Sequence, residues 1–206
     1  MPSWDLPDST PSAAPMGPST RGHNAVRDAF FKVAHSLDPA SELEPVGLIS
    51  SRPLLRPADL LTGASGFSAR LAAVDVGISS PFAAGAGSDC AESMRRRKLD
   101  RMAPYAVELE GVGVEYRPIT FSCFGRPHPD AKQLAQAFGR RLARRKGSEA
   151  HMEERRLAAC VGVEIWRRAA RMVRQCLPGT AEDEAEASQR PLDPEVLRRV
   201  GPPGEV

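Results

Sequence analysis

The chain has 206 residues, of which 41% are hydrophobic and 26% are charged, and its formal net charge is +2. This length and composition predict one domain with a modest hydrophobic core. No apolar run approaches the roughly 18 residues of a membrane span, and the first residues lack the pattern of a signal peptide, so we expect an intracellular protein without a membrane partner. The cysteines include no CxxC pair, which indicates neither a zinc knuckle nor a disulfide framework.

The first half of the chain is predicted to contain a helix and a β-hairpin. Residues 1–21 are rich in Pro and Ser, which predicts a disordered leader. Apolar residues recur at helical spacing over 23–37, which predicts an amphipathic helix. A short first strand is predicted at 44–49, and the apolar segments 58–61 and 70–79 flank a Gly- and Ser-rich stretch that predicts a hairpin turn.

The second half is predicted to contain one strand and three helices. Hydrophobic periodicity and turn residues place them, in chain order, as a helix at 90–102, a strand at 114–123 and helices at 131–145 and 149–176. Asp130 is the predicted N-cap of the second of these helices. Phe138 is expected in the core. The last helix has a predicted buried stripe of Leu157, Val161, Ile165, Trp166, Ala169 and Val173.

This order of elements predicts an α/β or α+β fold, in which helices flank a small mixed β-sheet and a long helix ends the domain. The domain is expected to span residues 22–178. The acidic, Pro-containing segment that follows, 179–206, is expected to be a flexible tail.

Two acidic residues, Asp59 and Asp75, accompany the apolar strands of the predicted hairpin. They are equidistant from position 67 in the turn, so a symmetric hairpin sets their carboxylates opposite each other, roughly 5 Å apart. Like charges at that distance repel, and the pair needs a divalent cation or a basic neighbour to persist. In the alternative interpretation each acid caps a strand end or meets an arginine such as Arg56 or Arg70.

Lys98, on the helix predicted after the hairpin, favours the divalent cation. Two carboxylates bind Mg²⁺ or Mn²⁺, and a lysine orients or activates the attacking water in metal-dependent phosphodiester hydrolysis. Asp59 and Asp75 are therefore the candidate metal ligands, and with Lys98 they are the candidate catalytic residues. The histidines lack ligand spacing with one another or with cysteine, so none is a candidate ligand.

Three segments of this region resemble a known family. They read RPAD at 56–59, DVGISSP at 75–81 and KLDRM at 98–102. They resemble the restriction-like endonuclease domain of site-specific non-LTR retrotransposons, whose pattern is R-x-P-D or RPAD, a spacer, D-V, and K-x-x-K-Y. That domain is part of the PD-(D/E)xK nuclease superfamily.

Two further segments fit this resemblance, which covers about residues 22–176. The sequence HNAV at 23–26 resembles the opening helix of the family, and YRPI at 116–119 with Gly125 resembles one of its strands. Glu44, before the first predicted strand, is a candidate accessory acid, or alternatively a surface glutamate at a helix exit.

The resemblance implies a restriction-endonuclease-like fold in which Asp59 and Asp75 bind the metal and Lys98 is a catalytic lysine supplied from a helix. Gly77 stands where a (D/E)xK nuclease has lysine, but this subfamily typically uses the helix lysine instead. At the end of the K-x-x-K-Y pattern the chain has Arg101, which keeps the charge of the second lysine. It has methionine in place of the tyrosine, which removes a hydroxyl group.

Arginine clusters on two predicted helices are the candidate nucleic-acid-binding residues. Cations of this kind displace counterions along a duplex, which gives salt-dependent and largely sequence-independent binding. The alternative is that the arginines form solvated helix faces. The candidates are Arg95, Arg96, Arg97, Arg101, Arg140, Arg141, Arg144 and Arg145.

These features predict a Mg²⁺-dependent endonuclease of retrotransposon origin that nicks or cleaves duplex DNA in the nucleus. The chain contains no reverse transcriptase region, so the domain is expected to be detached from one, and such an enzyme is a candidate partner. Two alternatives stay open. One is a catalytically inactive nucleic-acid-binding remnant of the same fold, and the other is a helical interaction domain that binds no nucleic acid.

Overall fold

A computed structural model describes residues 18–66, 70–83 and 86–175 of the chain. Over these ranges a mixed four-stranded sheet is flanked by helices, and a long helix ends the described part. The predicted α+β class is therefore confirmed. Most of the predicted leader, 1–21, and all of the predicted tail, 179–206, lie outside the described residues.

The sheet contains both antiparallel and parallel strand pairs. Its four strands are Glu42–Leu43 (β1), Leu60–Thr62 (β2), Leu71–Ser79 (β3) and Val114–Ser122 (β4), and they lie side by side in that order. Strand β2 is antiparallel to both β1 and β3, whereas β3 and β4 are parallel. A parallel pair requires a crossover, because the chain must return to the end of the sheet at which β3 began.

Five helices are found among the described residues. They are Pro18–Leu37 (α1), Cys90–Met102 (α2), Ala106–Gly111 (α3), Pro129–Lys146 (α4) and Ala150–Gln175 (α5). Helix α3, and the 3₁₀ turn Ala103–Tyr105 before it, were not predicted, and α1 begins before its predicted start at 23. None of the described helices is long and apolar enough to cross a membrane.

The hairpin of β2 and β3 has the predicted register. Leu60 pairs with Val74 and Leu61 with Ala73, which makes the hairpin symmetric about position 67. The same register places Asp59 opposite the residue after Val74, and the Asp59 N–H donates to the Val74 carbonyl at 3.0 Å. The hairpin therefore brings positions 59 and 75 face to face.

The two faces of the sheet carry two hydrophobic clusters. Side chains alternate along a strand, so Val74 and Val76 of β3 pack on the side of α1, α4 and α5, with Phe30 and Phe138. Ala73 packs on the other side in a second cluster, which includes Met102 of α2 and residues of α3 and β4. Asp75 and Gly77 have the parity of Ala73, and so they lie on the α2 face.

The predicted strand at 44–49 is wrong. Strand β1 ends at Leu43, and Glu44 adopts a left-handed backbone with φ of 48°. Pro45 has no N–H to continue the ladder, which ends the strand at this point. The apolar residues that suggested a strand pack as a loop instead, with Ile49 fully buried in the second cluster.

Two further expectations for α4 and α5 are also wrong. Helix α4 is capped by His128, whose Nδ1 accepts from the N–H of Asp130 at 3.2 Å, and Pro129 occupies the first turn, where its missing N–H is tolerated. In α5 the stripe is buried at Leu157, Val161 and Ile165, but Trp166 is 57% exposed and Val173 is 61% exposed. Phe138 of α4 is buried, as predicted.

Candidate active site

Asp75 lies at the centre of β3, beneath α2. Lys98 Nζ donates to Asp75 Oδ1 at 2.5 Å, and Arg101 Nη2 donates to Oδ2 at 2.8 Å. The Tyr116 hydroxyl of β4 also donates to Oδ2, at 2.5 Å. Because the Asp75 side chain is only 6% exposed, it is a buried anion held by three donors from two elements.

Lys98 reaches Asp75 by passing over Gly77. An ideal Cβ on Gly77 would lie 2.8 Å from Lys98 Cε and 3.0 Å from Met94 Cγ, closer than packed carbon atoms approach. Any side chain at position 77 would therefore push against the lysine. Gly77 leaves the space that the Lys98 side chain of α2 needs to reach Asp75 on β3.

Asp59 is fixed by its neighbours on β3 and α1. Its Oδ2 accepts from the Val76 N–H at 2.7 Å, and His23 Nε2 lies 3.1 Å from its Oδ1. The Asp59 side chain is 17% exposed, so it is more open than that of Asp75. The backbone contact holds the Asp59 carboxylate against β3, beside the position from which Asp75 projects.

The two carboxylates have pKa values shifted in opposite directions. Burial raises the pKa of Asp75 above its ordinary value, and the charge of Asp59 adds to the rise, while Lys98 and Tyr116 oppose it. Burial also acts to raise the pKa of Asp59, but the hydrogen bond and charge of His23, helped by the Val76 N–H and Lys98, outweigh it and lower the pKa. Asp59 is thus the stronger acid of the pair.

Tyr116 and His23 are contacts of the site that were not among the predicted site residues. Burial, followed by the charge of Asp75, raises the pKa of Tyr116, so the hydroxyl keeps its proton and serves as a donor. The sequence signal for both lay in the segments 23–26 and 116–119, which the family resemblance includes. Met102 of α2, which replaces the motif tyrosine, is 4% exposed in the second cluster. The hydroxyl group that contacts Asp75 belongs to Tyr116 of β4.

A cleft of about 340 Å³ opens between these groups. Glu44 lies on its rim, where Arg27 Nη1 donates to Oε1 at 2.5 Å and Arg56 donates to the other oxygen. The N–H of Glu44 donates to the Asp59 carbonyl at 2.9 Å, which ties the predicted accessory acid to the metal-ligand candidate. The ionisable side chains that line the cleft are His23, Glu44, Arg56, Asp59, Asp75, Lys98 and Arg101.

The donor set of this cleft fits a magnesium ion. Mg²⁺ is usually held by one or two carboxylates and keeps several waters, so a cage made only of protein ligands is not needed. A carboxylate has about four acceptor sites, and the observed contacts occupy two on Asp59 and three on Asp75. By this count each carboxylate keeps acceptor capacity for one further contact.

The arginines of α2 are mostly bound by carboxylates of the protein itself. Arg95 Nε donates to Asp130 Oδ2 of α4 at 2.5 Å, and Arg96 Nε donates to Glu92 at 2.6 Å. Arg101 is bound to Asp75, as described above. Only Arg97 is exposed without a hydrogen bond or ion pair to another described residue.

The arginines of α4 are more open. Arg140, Arg141, Arg144 and Arg145 are all exposed. Arg141 Nη1 donates to the Gly63 carbonyl at 3.2 Å, whereas the other three form no hydrogen bond or ion pair within the described part of the chain. Their guanidinium groups are therefore available to a ligand.

Comparisons with known proteins return no relatives. No protein-family model matches the chain, and no curated protein or solved structure matches it significantly. The chemistry of the cleft is therefore argued from its own residues.

Proposed function

We propose that this protein is a Mg²⁺-dependent DNA endonuclease that nicks or cleaves duplex DNA. The observation that carries the proposal is the cleft in which Asp59, Asp75 and Lys98 meet, with Lys98 delivered across Gly77. Two carboxylates and an ammonium in one open cleft are the groups that phosphodiester hydrolysis with a metal requires. The family resemblance leads to the same residues.

Each residue has a distinct part in this proposal. Asp59 and Asp75 hold the ion, and when bound it supplies positive charge and a water of lowered pKa. Lys98 opposes the rise in the Asp75 pKa that burial causes, and its ammonium group is placed to orient a water or a phosphate oxygen in the cleft. Tyr116 and His23 fix the two carboxylates in place.

The exposed arginines of α4 are the reason for proposing duplex DNA as the substrate. Arg140, Arg144 and Arg145 have no carboxylate to neutralise them among the described residues, and they suit the phosphates of a duplex. The retrotransposon resemblance further suggests a reverse transcriptase as partner and the nucleus as location, and both belong to the proposal.

A second candidate function is a catalytically inactive module that binds nucleic acid. The observation in its favour is that Lys98, Arg101 and Tyr116 all bind Asp75, so the site is neutralised by the protein itself. In this case the cluster serves the fold, and only the α4 surface acts on DNA.

Nicking of a supercoiled plasmid tests the two candidates against each other. The wild type is incubated with Mg²⁺, with Mn²⁺ and with EDTA, beside Asp59→Asn and the control Asp100→Asn, an exposed acid on α2. The endonuclease requires metal-dependent nicking that Asp59→Asn lacks and Asp100→Asn retains. Duplex binding without nicking in either metal selects the inactive module.

A further inference from the structure

The buried stripe of α5 ends in arginine. Leu157, Val161 and Ile165 are buried, and one helical turn further the same stripe is occupied by Arg168 and then Arg171. Both arginines are partly buried, although an exposed cation costs far less than a buried one. Apolar packing therefore does not explain why arginine occupies these two positions of the stripe.

Arg168 lies tightly against the beginning of α1. An ideal Cβ on Gly22 would lie 2.4 Å from Arg168 Cδ and 2.5 Å from its Cβ and Cγ, so only glycine permits this approach. The residue after Gly22 is His23, which contacts Asp59 at 3.1 Å. Two adjacent residues of α1 therefore contact Arg168 and the Asp59 carboxylate, respectively.

Among the residues that the structure describes, the two guanidinium groups have no hydrogen-bond acceptor. The Nε atoms of Arg168 and Arg171 are inaccessible to solvent, and neither side chain forms a hydrogen bond or ion pair with a described residue. Burial lowers the pKa of Arg168, and the nearby Cys123 opposes this shift only in part. On the same helix the more exposed Arg167 is paired, since its Nη1 donates to Glu164 Oε1 at 2.6 Å.

We propose that Arg168 and Arg171 form a phosphate-binding pair that receives the backbone of a DNA strand. A partly buried guanidinium without an acceptor is unfavourable, and a phosphate supplies the acceptors in the geometry that its planar fork matches. The choice of DNA as the source of the phosphate rests on the proposed function.

The test measures duplex binding without cleavage. A labelled duplex of unrelated sequence is titrated in EDTA at several salt concentrations with wild type, Arg168→Gln, Arg171→Gln, the double variant and the control Arg167→Gln. We expect the double variant to bind roughly tenfold more weakly, with a salt slope reduced by about one unit per lost phosphate contact. Arg167→Gln is expected to bind like wild type.

Thermal unfolding of the same variants excludes a structural explanation. Removing a buried charge that has no partner relieves a desolvation cost, so Tm is expected to stay the same or rise in Arg168→Gln and Arg171→Gln. A fall in Tm together with weaker binding would assign the arginines to the fold and overturn the inference. So would binding by the double variant equal to that of Arg167→Gln.

Two further measurements locate any failure. If inorganic phosphate raises the Tm of the wild type but not of the double variant, while duplex binding is equal in both, the site takes free phosphate and the inference is overturned. Plasmid nicking is measured separately. A protein that does not nick DNA but whose duplex binding depends on Arg168 and Arg171 would contradict the endonuclease proposal and support the phosphate-binding pair.

Discussion

Helices α2 and α4 both carry clusters of arginine, but their guanidinium groups have different surroundings. On α2, Arg95 is bound to Asp130 and Arg101 to Asp75. On α4, Arg144 and Arg145 are exposed and have no partner in the described ranges. One cluster is used within the fold, and the other is open to the solvent.

The difference follows from what each helix packs against. Helix α2 covers the face of the sheet that carries Asp75, so its cations meet a buried anion and stabilise it. Helix α4 turns Leu134 and Phe138 toward the core, and its four arginines are exposed near its C-terminal end. Arginine content alone therefore does not identify a nucleic-acid surface, since carboxylates within reach decide which cations remain free.

The largest expected effect is the loss of DNA cleavage when Asp75, which contacts Lys98 and Arg101 of α2, is replaced. Asp75→Asn keeps the shape of the side chain and removes the charge that holds the ion, so we expect metal-dependent nicking to fall by roughly a thousandfold or more. Duplex affinity should persist or increase, because a negative charge near the phosphate path is lost. Nicking and duplex binding are measured side by side, with Tm as a folding control.

The result can contradict the assignment in two ways. Nicking by Asp75→Asn at the wild-type rate would remove Asp75 from the mechanism. A loss of binding and Tm in parallel with nicking would mean that the variant is misfolded, because its amide leaves Lys98 and Arg101 without their buried partner.

Gly77→Ala tests the delivery of the α2 lysine without removing any ionisable group. The added methyl group would lie 2.8 Å from Lys98 Cε, so the ammonium group must move away from Asp75. We expect a loss of nicking that approaches that of Lys98→Ala, roughly a hundredfold or more if the lysine takes part in proton transfer. Gly162→Ala on α5, where nothing lies within 4 Å of the added Cβ, is the matched control.

The α4 cluster is tested by binding. Replacing Arg140, Arg141, Arg144 and Arg145 by Ala is expected to weaken binding to unrelated duplexes about equally and to lower the salt slope by roughly one unit for each lost phosphate contact. Affinities measured over a range of salt concentrations give the slope. An unchanged slope would make the α4 arginines a solvated face and remove the contrast with α2.

Arg95→Gln on α2 should give the opposite pattern. It removes the ion pair to Asp130 that ties α2 to α4, at a position where the two side chains are 27% and 18% exposed. We expect a loss of about 1–2 kcal/mol in the free energy of unfolding, measured with urea, and little change in duplex affinity. A weaker duplex complex at unchanged stability would show that Arg95 contacts DNA despite Asp130.

The sequence allowed much of this site to be predicted, because its groups follow from strand register. The symmetry of the hairpin about position 67 placed Asp59 opposite Asp75, and α2 was predicted at its observed residues, 90–102. His23 and Tyr116 were missed as site contacts because they arrive from α1 and β4, which are distant in sequence from the hairpin.

The failures in the fold have local causes. The strand at 44–49 was predicted from apolar residues, but these residues form a loop in which Ile49 is buried. Trp166 was placed in the core by its helical spacing, but it lies beside the buried stripe and contacts the exposed ring of Phe124 at a centroid distance of 6.5 Å. Periodicity counts apolar residues and does not show how far a neighbouring element extends over a helix face.

The smallest expected effect concerns the last basic residue of α4. Unlike Arg144 and Arg145, Lys146 is engaged, since its Nζ donates to Glu153 of α5 at 3.0 Å, and Ser148 and Arg156 donate to the same carboxylate at 2.9 and 2.7 Å. Burial acts to raise the pKa of Glu153, but these donors outweigh it and the pKa is lowered. A lowered pKa in the folded state means that the ionised carboxylate stabilises the fold above the unfolded-state pKa, near 4.5.

Glu153→Gln should therefore reduce stability at neutral pH and have less effect in acid. We expect a loss of about 1 kcal/mol, or a fall in Tm of roughly 2–4 °C, at pH 7. The difference from wild type should shrink as the pH falls below about 4.5 and through the lowered pKa, because the wild-type carboxylate is then protonated as well. Glu149→Gln, at a side chain that is 76% exposed, is the control and should leave Tm nearly unchanged. A difference between Glu153→Gln and wild type that is constant across this pH range would mean that shape rather than charge determines the role of Glu153, and that Lys146 is as free as the arginines before it.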